Sequence, residues 1–301
     1  MRIVFMGTPD FAVPTLQRLI DKHEVLGVFT QPDKPRGRHM TLTPSDVKVC
    51  ALQNGIPVYQ PESLKHGEAM PILDELKPDV IVVAAYGQIL KEDVLKYPKY
   101  GCINAHGSLL PKYRGAAPIQ RAVLDGEKYA GVTAMQMDVG LDTGDMLLAK
   151  SVEIGENETA GELFDRLALL AADVIEETLD NIDSLQPEAQ DDSLSTYAKM
   201  LSKAECPIDW KRSAFQIHKQ ICGLNPWPSA TAAQGENLFK IHMSHITDRT
   251  SDKAPGTIID SKYVVCGDGK LLELVEIQAT GAKRMNIHDY LLGHKLEGVF
   301  D

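Results

Sequence analysis

Short apolar runs rich in β-branched residues alternate with helical patterns through the first half of the chain. Strands are expected at Arg2–Met6, Val25–Phe29, Val80–Ala85, Cys102–Ala105 and Val132–Met137. The first helical pattern lies between the first two strands, over Phe11–Asp21. Strands that alternate with helices form βαβ units, so we predict an α/β fold with a doubly wound, mostly parallel, Rossmann-like sheet. Ligands of such sheets bind beyond the carboxyl ends of the strands, which draws attention to the segments that follow these five runs.

The pattern changes in the second half. A long amphipathic helix is expected from about Thr159 to Asn181, and the polar, aperiodic stretch Gln186–Ser195 is typical of a linker. Beyond it, short strand-like runs separated by Gly, Asp and Pro favour a small β-barrel. We therefore expect a first domain over residues 1–188, a linker over 189–205 and a smaller barrel domain over 206–301.

The net charge of −11 belongs to one segment of the chain. Residues Glu153–Asp192 contain 13 acidic residues and one basic residue, a net charge of −12, so the remaining residues carry +1. An acidic, solvated helix face explains this segment, and a polyanion could bind elsewhere. The composition therefore permits an RNA partner without predicting one.

Several classes of protein are disfavoured. No apolar run reaches the roughly 18 residues of a membrane helix, and the N-terminus lacks a signal-peptide pattern, so we expect a cytoplasmic protein. The five cysteines are widely spaced without a CxxC pair, which argues against a disulfide framework or a cysteine-rich zinc site. Gly7 is the only glycine of a dinucleotide fingerprint after the first strand, and Gly140 and Ala149 stand where a calcium loop needs oxygen ligands. We expect neither NAD nor a metal ion.

Chemistry-bearing residues concentrate after the fourth strand. Asn104 and His106 are two residues apart, so in an extended segment they point to the same side, where an amide and an imidazole could stabilise an oxyanion. The glycine-rich stretch Asp138–Asp145 supplies a carboxylate, and a His–Asp pair can act in acid–base steps. Such a pair is also common as a structural contact, so both interpretations stay open. Ser108 has no strained elbow around it, which favours a loop or binding residue over a nucleophile.

The motifs NAHGSLLP (Asn104–Pro111), YRGAAPI (Tyr113–Ile119) and DVGLDTGD (Asp138–Asp145) together resemble the folate-dependent formyltransferase family. Further stretches extend the resemblance along the chain. They are GTPDF from Gly7, FTQPD from Phe29, AYGQIL from Ala85, QMDVGLDTGDM from Gln136, YAKMLSKAECPIDW from Tyr197 and NPWP from Asn225. The last two are typical of the members of this family that act on tRNA.

The resemblance assigns roles to individual residues. It implies that Asn104, His106 and Asp142 are catalytic. Folate binding falls on three segments, which comprise Ser108, Leu109, Leu110 and Pro111; Tyr86, Gly87, Gln88, Ile89 and Leu90; and Val139, Gly140 and Leu141. Contacts to tRNA fall on Lys34, Arg36, Arg38 and Lys48, in an insertion over about Lys34–Lys48. Relatives usually carry a denser basic run there, whereas this chain has His39, Met40 and Thr41 after Arg38.

The implied enzyme transfers a formyl group from 10-formyltetrahydrofolate, as co-substrate, to the α-amino group of methionyl initiator tRNA for translation initiation. Asn104 and protonated His106 would stabilise the oxyanion, and Asp142 would hold His106 and relay the amine proton through water. The resemblance also implies an OB-like, tRNA-binding barrel in the second half, and we expect a monomer. Two alternatives remain: a formyltransferase for a sugar-nucleotide or glycinamide amine, and a non-catalytic RNA-binding protein on the same scaffold.

Overall fold

The computed structural model describes residues 1–36 and 40–301. The helices are α1 (Val13–Lys22), α2 (Asp46–Gln53), α3 (Met70–Leu76), α4 (Glu92–Leu95), α5 (Pro118–Leu124), α6 (Ala160–Asp180), α7 (Ala214–Gly223) and α8 (Ile287–Leu291). The first strands are β1 (Arg2–Gly7), β2 (Glu24–Phe29), β3 (Lys34–Arg36), β4 (Thr41–Thr43), β5 (Val58–Tyr59), β6 (Val80–Ala84), β7 (Cys102–His106), β8 (Arg114–Gly115) and β9 (Tyr129–Gln136). The remaining strands are β10 (Met146–Glu153), β11 (Tyr197–Ala198), β12 (Ala230–Gln234), β13 (Asn237–Thr250), β14 (Ile258–Ile259), β15 (Tyr263–Val265), β16 (Lys270–Ala279) and β17 (Met285–Asn286).

The first half of the chain builds a mostly parallel sheet. Its strand order within the described residues is β10-β9-β7-β6-β1-β2-β5. The pairs β7–β6, β6–β1, β1–β2 and β2–β5 are all parallel. Every residue of β6 and β7 is buried, as the apolar, β-branched run over Val80–Ala84 predicts for central parallel strands. The predicted α/β fold class is confirmed.

One expected strand end is wrong. The strand pattern predicts that the segment after Met137 lies at the same sheet edge as the ends of the other strands. Strand β9 runs antiparallel to β7, with Thr133 beside His106 and Gln136 beside Ile103. Met137 therefore lies near the start of β7, and the following loop returns along the sheet to reach the site. The direction of a strand depends on the strand with which it pairs. The hydrophobic pattern of a single segment does not predict that pairing.

Local sequence signals set the helix starts. Pro14 lies in the first turn of α1, where its missing N–H costs no hydrogen bond. Ser45 caps α2 by accepting a hydrogen bond from the Lys48 backbone N–H at 3.1 Å. Ser213 and Gln216 form a capping box at the start of α7.

The chain forms two compact units that do not follow its linear order. The first comprises Met1–Gly115, Ala130–Val152 and Phe164–Ala198, and the second comprises Ala116–Tyr129, Glu153–Leu163 and Lys199–Asp301. The first unit has an apolar core around β1 and β6, which includes Met6, Phe29 and Ile81.

No helix within residues 1–36 and 40–301 is long and apolar enough to cross a membrane.

The second unit is built on an antiparallel sheet. Its strand order is β12-β13-β16-β15-β14, and β17 pairs with β16. The core of this unit includes Trp210, Phe239 and Phe300, and the Phe300 ring contacts the rings of the other two. Helix α5, which belongs to this unit although it lies early in the chain, packs against α7. The predicted smaller β domain is confirmed.

Candidate active site

Two polar side chains interrupt the apolar strand β7. Asn104 is 8% exposed and His106 is 6% exposed, and they are the polar residues at alternate positions of this strand. Their neighbours on β9 are Met135 and Thr133. No hydrogen bond from the described residues reaches the side-chain amide of Asn104. An amide without a partner among the described residues is available to bind a polar atom of a ligand.

His106 has an acceptor at each ring nitrogen. Its Nε2 lies 2.9 Å from the carbonyl oxygen of Tyr113, and its Nδ1 lies 3.7 Å from Oδ1 of Asp142. A carbonyl oxygen can only accept hydrogen bonds, so Nε2 is the donor to Tyr113, while Nδ1 faces the carboxylate. The His106 ring is therefore held between a backbone carbonyl and a carboxylate.

The Asp142 carboxylate is held in place by the backbone. The Gly115 N–H donates to Oδ2 of Asp142 at 2.8 Å, which leaves Oδ1 facing His106. Asp142 itself adopts a left-handed conformation, with φ of 53°, which is uncommon for residues other than glycine. The unusual backbone conformation turns the side chain of Asp142 toward β7. The structure thus brings His106 and Asp142 together, as predicted.

The NAHGSLLP motif continues from β7 into a tightly bonded turn. The Ser108 hydroxyl donates to the carbonyl oxygen of Lys112 at 2.7 Å. The Thr133 hydroxyl donates to the Ser108 carbonyl at 2.7 Å and accepts from the Leu110 N–H at 3.2 Å. Ser108 and Leu110 are buried, while Leu109 and Pro111 are half-buried. Because its hydroxyl is committed to a carbonyl within the turn, Ser108 is unsuited to act as a nucleophile.

The predicted folate segments combine a fixed backbone with exposed apolar side chains. The Tyr86 ring is buried in the core, its hydroxyl has no partner among the described residues, and burial raises its pKa to about 12. The backbone carbonyls of Tyr86 and Gly87 accept from Gln31 Nε2, and the Gln88 side chain donates to the Pro61 carbonyl. Leu90 is buried, whereas the next-door Ile89 is 77% exposed.

The loop that carries Asp142 is closed by its own side chains. Asp138 accepts hydrogen bonds from the Gly140 N–H and the Thr143 hydroxyl, which join the two ends of the loop tip. Val139 and Leu141 at this tip are 70% and 59% exposed. The loop presents them beside the Asp142 carboxylate.

Sequence reasoning missed the contribution of Gln190. Its side-chain Nε2 donates to the backbone carbonyls of Asp142 and Gly144, and its Oε1 accepts from Arg114. The polar, aperiodic composition around Gln190 predicted a linker and offered no signal for these contacts. They join residues separated by 46 to 76 positions in the chain.

The four residues predicted to contact tRNA lie in different environments. Lys34 and Arg36 lie in β3, which pairs with β4, and Arg38 lies outside the described residues. Lys48 Nζ binds both carboxylate oxygens of Asp33, at 2.9 and 2.8 Å, and Oε1 of Gln60 at 2.7 Å. The hydrogen bond from Lys48, followed by that from Gln60, lowers the pKa of Asp33. Lys48 is thus engaged within the protein.

Within residues 1–36 and 40–301, no cluster of three or more His, Cys, Asp or Glu side chains is arranged to hold a metal ion.

Comparison with known proteins agrees with the fold. The formyl transferase family matches residues 1–179, and the formyl transferase C-terminal domain matches residues 200–295. The chain belongs to the formyl transferase family, which makes it an enzyme of that class. The resemblance predicted from the sequence motifs is confirmed.

Its curated relatives define the group more narrowly. A methionyl-tRNA formyltransferase of Clostridium novyi is 49% identical over 99% of this chain and 98% of the relative. A methionyl-tRNA formyltransferase of Caldanaerobacter subterraneus is 50% identical over 98% of each chain. Among solved structures, an N-formyltransferase of Helicobacter canadensis, in complex with folinic acid and dTDP-3-aminofucose, has a TM-score of 0.69 at 20% identity, covering 90% of this chain and 98% of its own. That structure supports the fold.

Proposed function

We propose that the chain transfers a formyl group from 10-formyltetrahydrofolate to the α-amino group of methionyl initiator tRNA. One observation carries the chemical part of this proposal: the buried His106 ring faces the half-buried Asp142 carboxylate and lies two residues along strand β7 from an Asn104 amide that has no partner among the described residues. The identity of about 49% to methionyl-tRNA formyltransferases over nearly the whole chain supports the choice of substrate.

The three side chains have complementary roles in the proposed reaction. Attack by the amine on the formyl carbon places negative charge on the formyl oxygen. The free amide of Asn104 is a donor for that oxygen, and preorganised donors of this kind are among the largest contributions to catalysis. The Tyr113 carbonyl already occupies Nε2–H of His106, so the imidazolium contributes its positive charge nearby. Asp142 stabilises that charge and accepts the proton that the amine loses, through a water molecule. Collapse of the oxyanion then breaks the bond between the formyl carbon and N10 of the folate, and N10 takes up that proton as tetrahydrofolate leaves.

The predicted folate segments suit a ligand with a flat, partly apolar ring system. Ile89, Val139 and Leu141 offer exposed apolar surface, while neighbouring backbone groups are fixed by Gln31 and Asp138. We propose Tyr86–Leu90, Ser108–Pro111 and Val139–Leu141 as the folate-binding segments. The bound 10-formyltetrahydrofolate supplies the formyl group. The folinic acid complex of the Helicobacter canadensis relative is consistent with a folate ligand.

The proposal also includes the basic residues near the N-terminus and the domain organisation of the chain. Lys34 and Arg36 are candidates for contacts to tRNA phosphates, as is Arg38, whereas Lys48 would act by fixing Asp33 and Gln60. We propose a cytoplasmic monomer whose catalytic domain covers residues 1–188, joined by a linker over 189–205 to a tRNA-binding domain over 206–301.

A formylation assay tests the substrate. The purified chain is given 10-formyltetrahydrofolate with methionyl initiator tRNA and, in parallel, with elongator methionyl-tRNA, glycinamide ribonucleotide or an amino-sugar nucleotide. We expect efficient formylation of the initiator species alone. The His106→Ala variant, purified identically, controls for contaminating activity. Preferred formylation of a sugar or glycinamide amine would contradict the proposed substrate, and binding of tRNA without formylation would support the non-catalytic alternative.

A further inference from the structure

The side-chain amide of Gln190 is fully used in hydrogen bonds around the candidate site. Its Nε2 donates to the backbone carbonyl of Asp142 at 2.9 Å and to that of Gly144 at 2.7 Å. Its Oε1 accepts from Nε of Arg114 at 3.0 Å and from Nη2 at 2.8 Å. A primary amide offers two donors and two acceptor positions, so Gln190 satisfies its complete bonding capacity here.

The first pair of these bonds fixes a loop with an unfavourable backbone conformation. Asp142 has φ of 53°, and such a conformation persists only where the surroundings hold it. Two residues later, Gly144 packs so closely that a Cβ there would lie 1.8 Å from the Gln136 carbonyl oxygen. Gln190 binds the loop at Asp142 and at Gly144, and thereby fixes the backbone that aims the Asp142 carboxylate at His106.

The second pair of bonds reaches the other partner of His106. Arg114 directly follows Tyr113, whose carbonyl faces His106 Nε2. The backbone N–H groups of Tyr113 and Arg114 donate to Thr196, to its hydroxyl and carbonyl respectively, and β8 pairs with β11 immediately afterwards. The segment from Gln190 to Ala198 therefore supports both groups that contact the His106 ring.

We propose that Gln190 is a positioning residue for formyl transfer, which holds the Asp142 loop and the Tyr113–Arg114 segment at a fixed separation on either side of His106. This inference rests on the proposed function. Gln190 acts through Asp142 and Tyr113 and does not itself touch the reacting atoms. Small displacements of a catalytic group can cost two orders of magnitude in rate, so a residue with this role affects turnover strongly.

The effect should fall on turnover more than on binding. The loop tip that carries Val139 and Leu141 is closed by Asp138 through Gly140 and Thr143, independently of Gln190. Loss of the Gln190 bonds therefore leaves the proposed folate surface largely intact while loosening the backbone at Asp142. A purely structural role would instead lower the amount of folded protein and leave its turnover unchanged.

Two substitutions of Gln190 test the proposal. Gln190→Glu keeps two acceptors for Arg114, which favours folding, but removes both donors and places a charge beside two carbonyl oxygens. Gln190→Ala removes all four bonds. We expect kcat to fall roughly 10- to 100-fold in both, with KM for 10-formyltetrahydrofolate and for methionyl-tRNA within about threefold of wild type. Gln186→Glu adds the same charge at an exposed position of the same segment and should leave kcat unchanged.

A double-mutant cycle separates positioning from general support. If Gln190 acts through the Asp142 carboxylate, Gln190→Ala should reduce single-turnover formylation by less than about twofold in an Asp142→Ala background, because no carboxylate remains to be aimed. An equal fold-loss in both backgrounds would overturn the proposal, as would a kcat within threefold of wild type in both Gln190 variants. A wild-type chain that cannot formylate methionyl-tRNA would overturn the proposed function and this inference with it.

Discussion

Two buried histidines, one in each compact unit, have opposite surroundings. His106 in the first unit faces the Asp142 carboxylate and the Tyr113 carbonyl. It shares its strand with the amide of Asn104, which has no partner in the part of the chain that the structure describes. His218 in the second unit is fully buried, with Nδ1 at 3.0 Å from the Ser244 hydroxyl and Nε2 at 3.1 Å from the Glu156 carbonyl. Both rings are held at two points.

The partners decide what each histidine can do. Ser244 can either donate or accept, so Nδ1 of His218 needs no proton, and burial together with the neighbouring Lys219 charge lowers the pKa of His218. The Lys219 ammonium donates to the same Glu156 carbonyl at 2.8 Å. His218 is therefore a neutral element of a closed hydrogen-bond cluster. Burial is common to both histidines, so the feature that distinguishes His106 is the Asp142 carboxylate beside it.

The largest expected effect comes from removing the charge or the donor at the first histidine. Asn104→Ala and His106→Ala should each lower the turnover of methionyl-tRNA formylation roughly 100-fold or more, the scale of losing one preorganised donor. Steady-state kinetics at saturating substrates measure this loss. Thermal unfolding should show that both variants remain folded, and folate binding should largely persist. Near-normal turnover in either variant would remove that residue from the mechanism.

Substitution of Asp142 tests the partner that distinguishes the two histidines. In Asp142→Asn, the amide oxygen can still accept from the Gly115 N–H, but an NH2 group replaces the negative charge beside Nδ1 of His106. Since that group cannot stabilise an imidazolium, we expect single-turnover formylation to slow roughly 10- to 100-fold, with little change in tRNA affinity. Binding that collapses while the single-turnover rate stays intact would instead make Asp142 a binding residue.

The parts of the fold that the sequence predicts are those whose signal is local. Five elements begin and end within about two residues of their predicted bounds: strands β1, β2, β6 and β7 and helix α6. Their signals, a continuous apolar run or a 3.6-residue period, depend only on consecutive residues. Strand β10 was missed, since its half-exposed residues lack a buried run. The membership of α5 in the second unit was missed because it depends on packing against α7.

The candidate site divides in the same way. Asn104 and His106 can be placed on one face from their spacing, but the pairing of His106 with Asp142 is implied only by the family motif. The sequence does not predict the groups that hold these side chains in place. These groups are the Tyr113 carbonyl, the Gly115 N–H and the Gln190 amide. Their positions depend on contacts between distant parts of the chain, and the residue types at these positions do not indicate such contacts.

The smallest effect on activity is expected at the second histidine. His218→Phe removes the partner of the Ser244 hydroxyl and one donor to the Glu156 carbonyl, so it should destabilise the second unit by about 1–3 kcal/mol. The turnover of the folded protein should stay within about twofold of wild type, because no group near Asn104 changes. Urea unfolding followed by tryptophan fluorescence reports this unit, since both tryptophans, Trp210 and Trp227, belong to it.

The pH dependence of that destabilisation tests whether His218 is neutral in the folded protein. The pKa of His218 is lower in the folded protein than the usual 6.5, so around and below that pH the unfolded chain binds more protons at this residue. The stabilisation by neutral His218 is therefore present above pH 6.5 and is lost as the pH falls toward the folded pKa. His23 and His242 also have lowered pKa values, but they are common to both proteins and cancel in the difference. The difference in unfolding free energy between wild type and His218→Phe should thus shrink from pH 7.5 to pH 5. A difference that grows on acidification would mean that His218 is charged in the folded state, and the contrast between the two histidines would be lost.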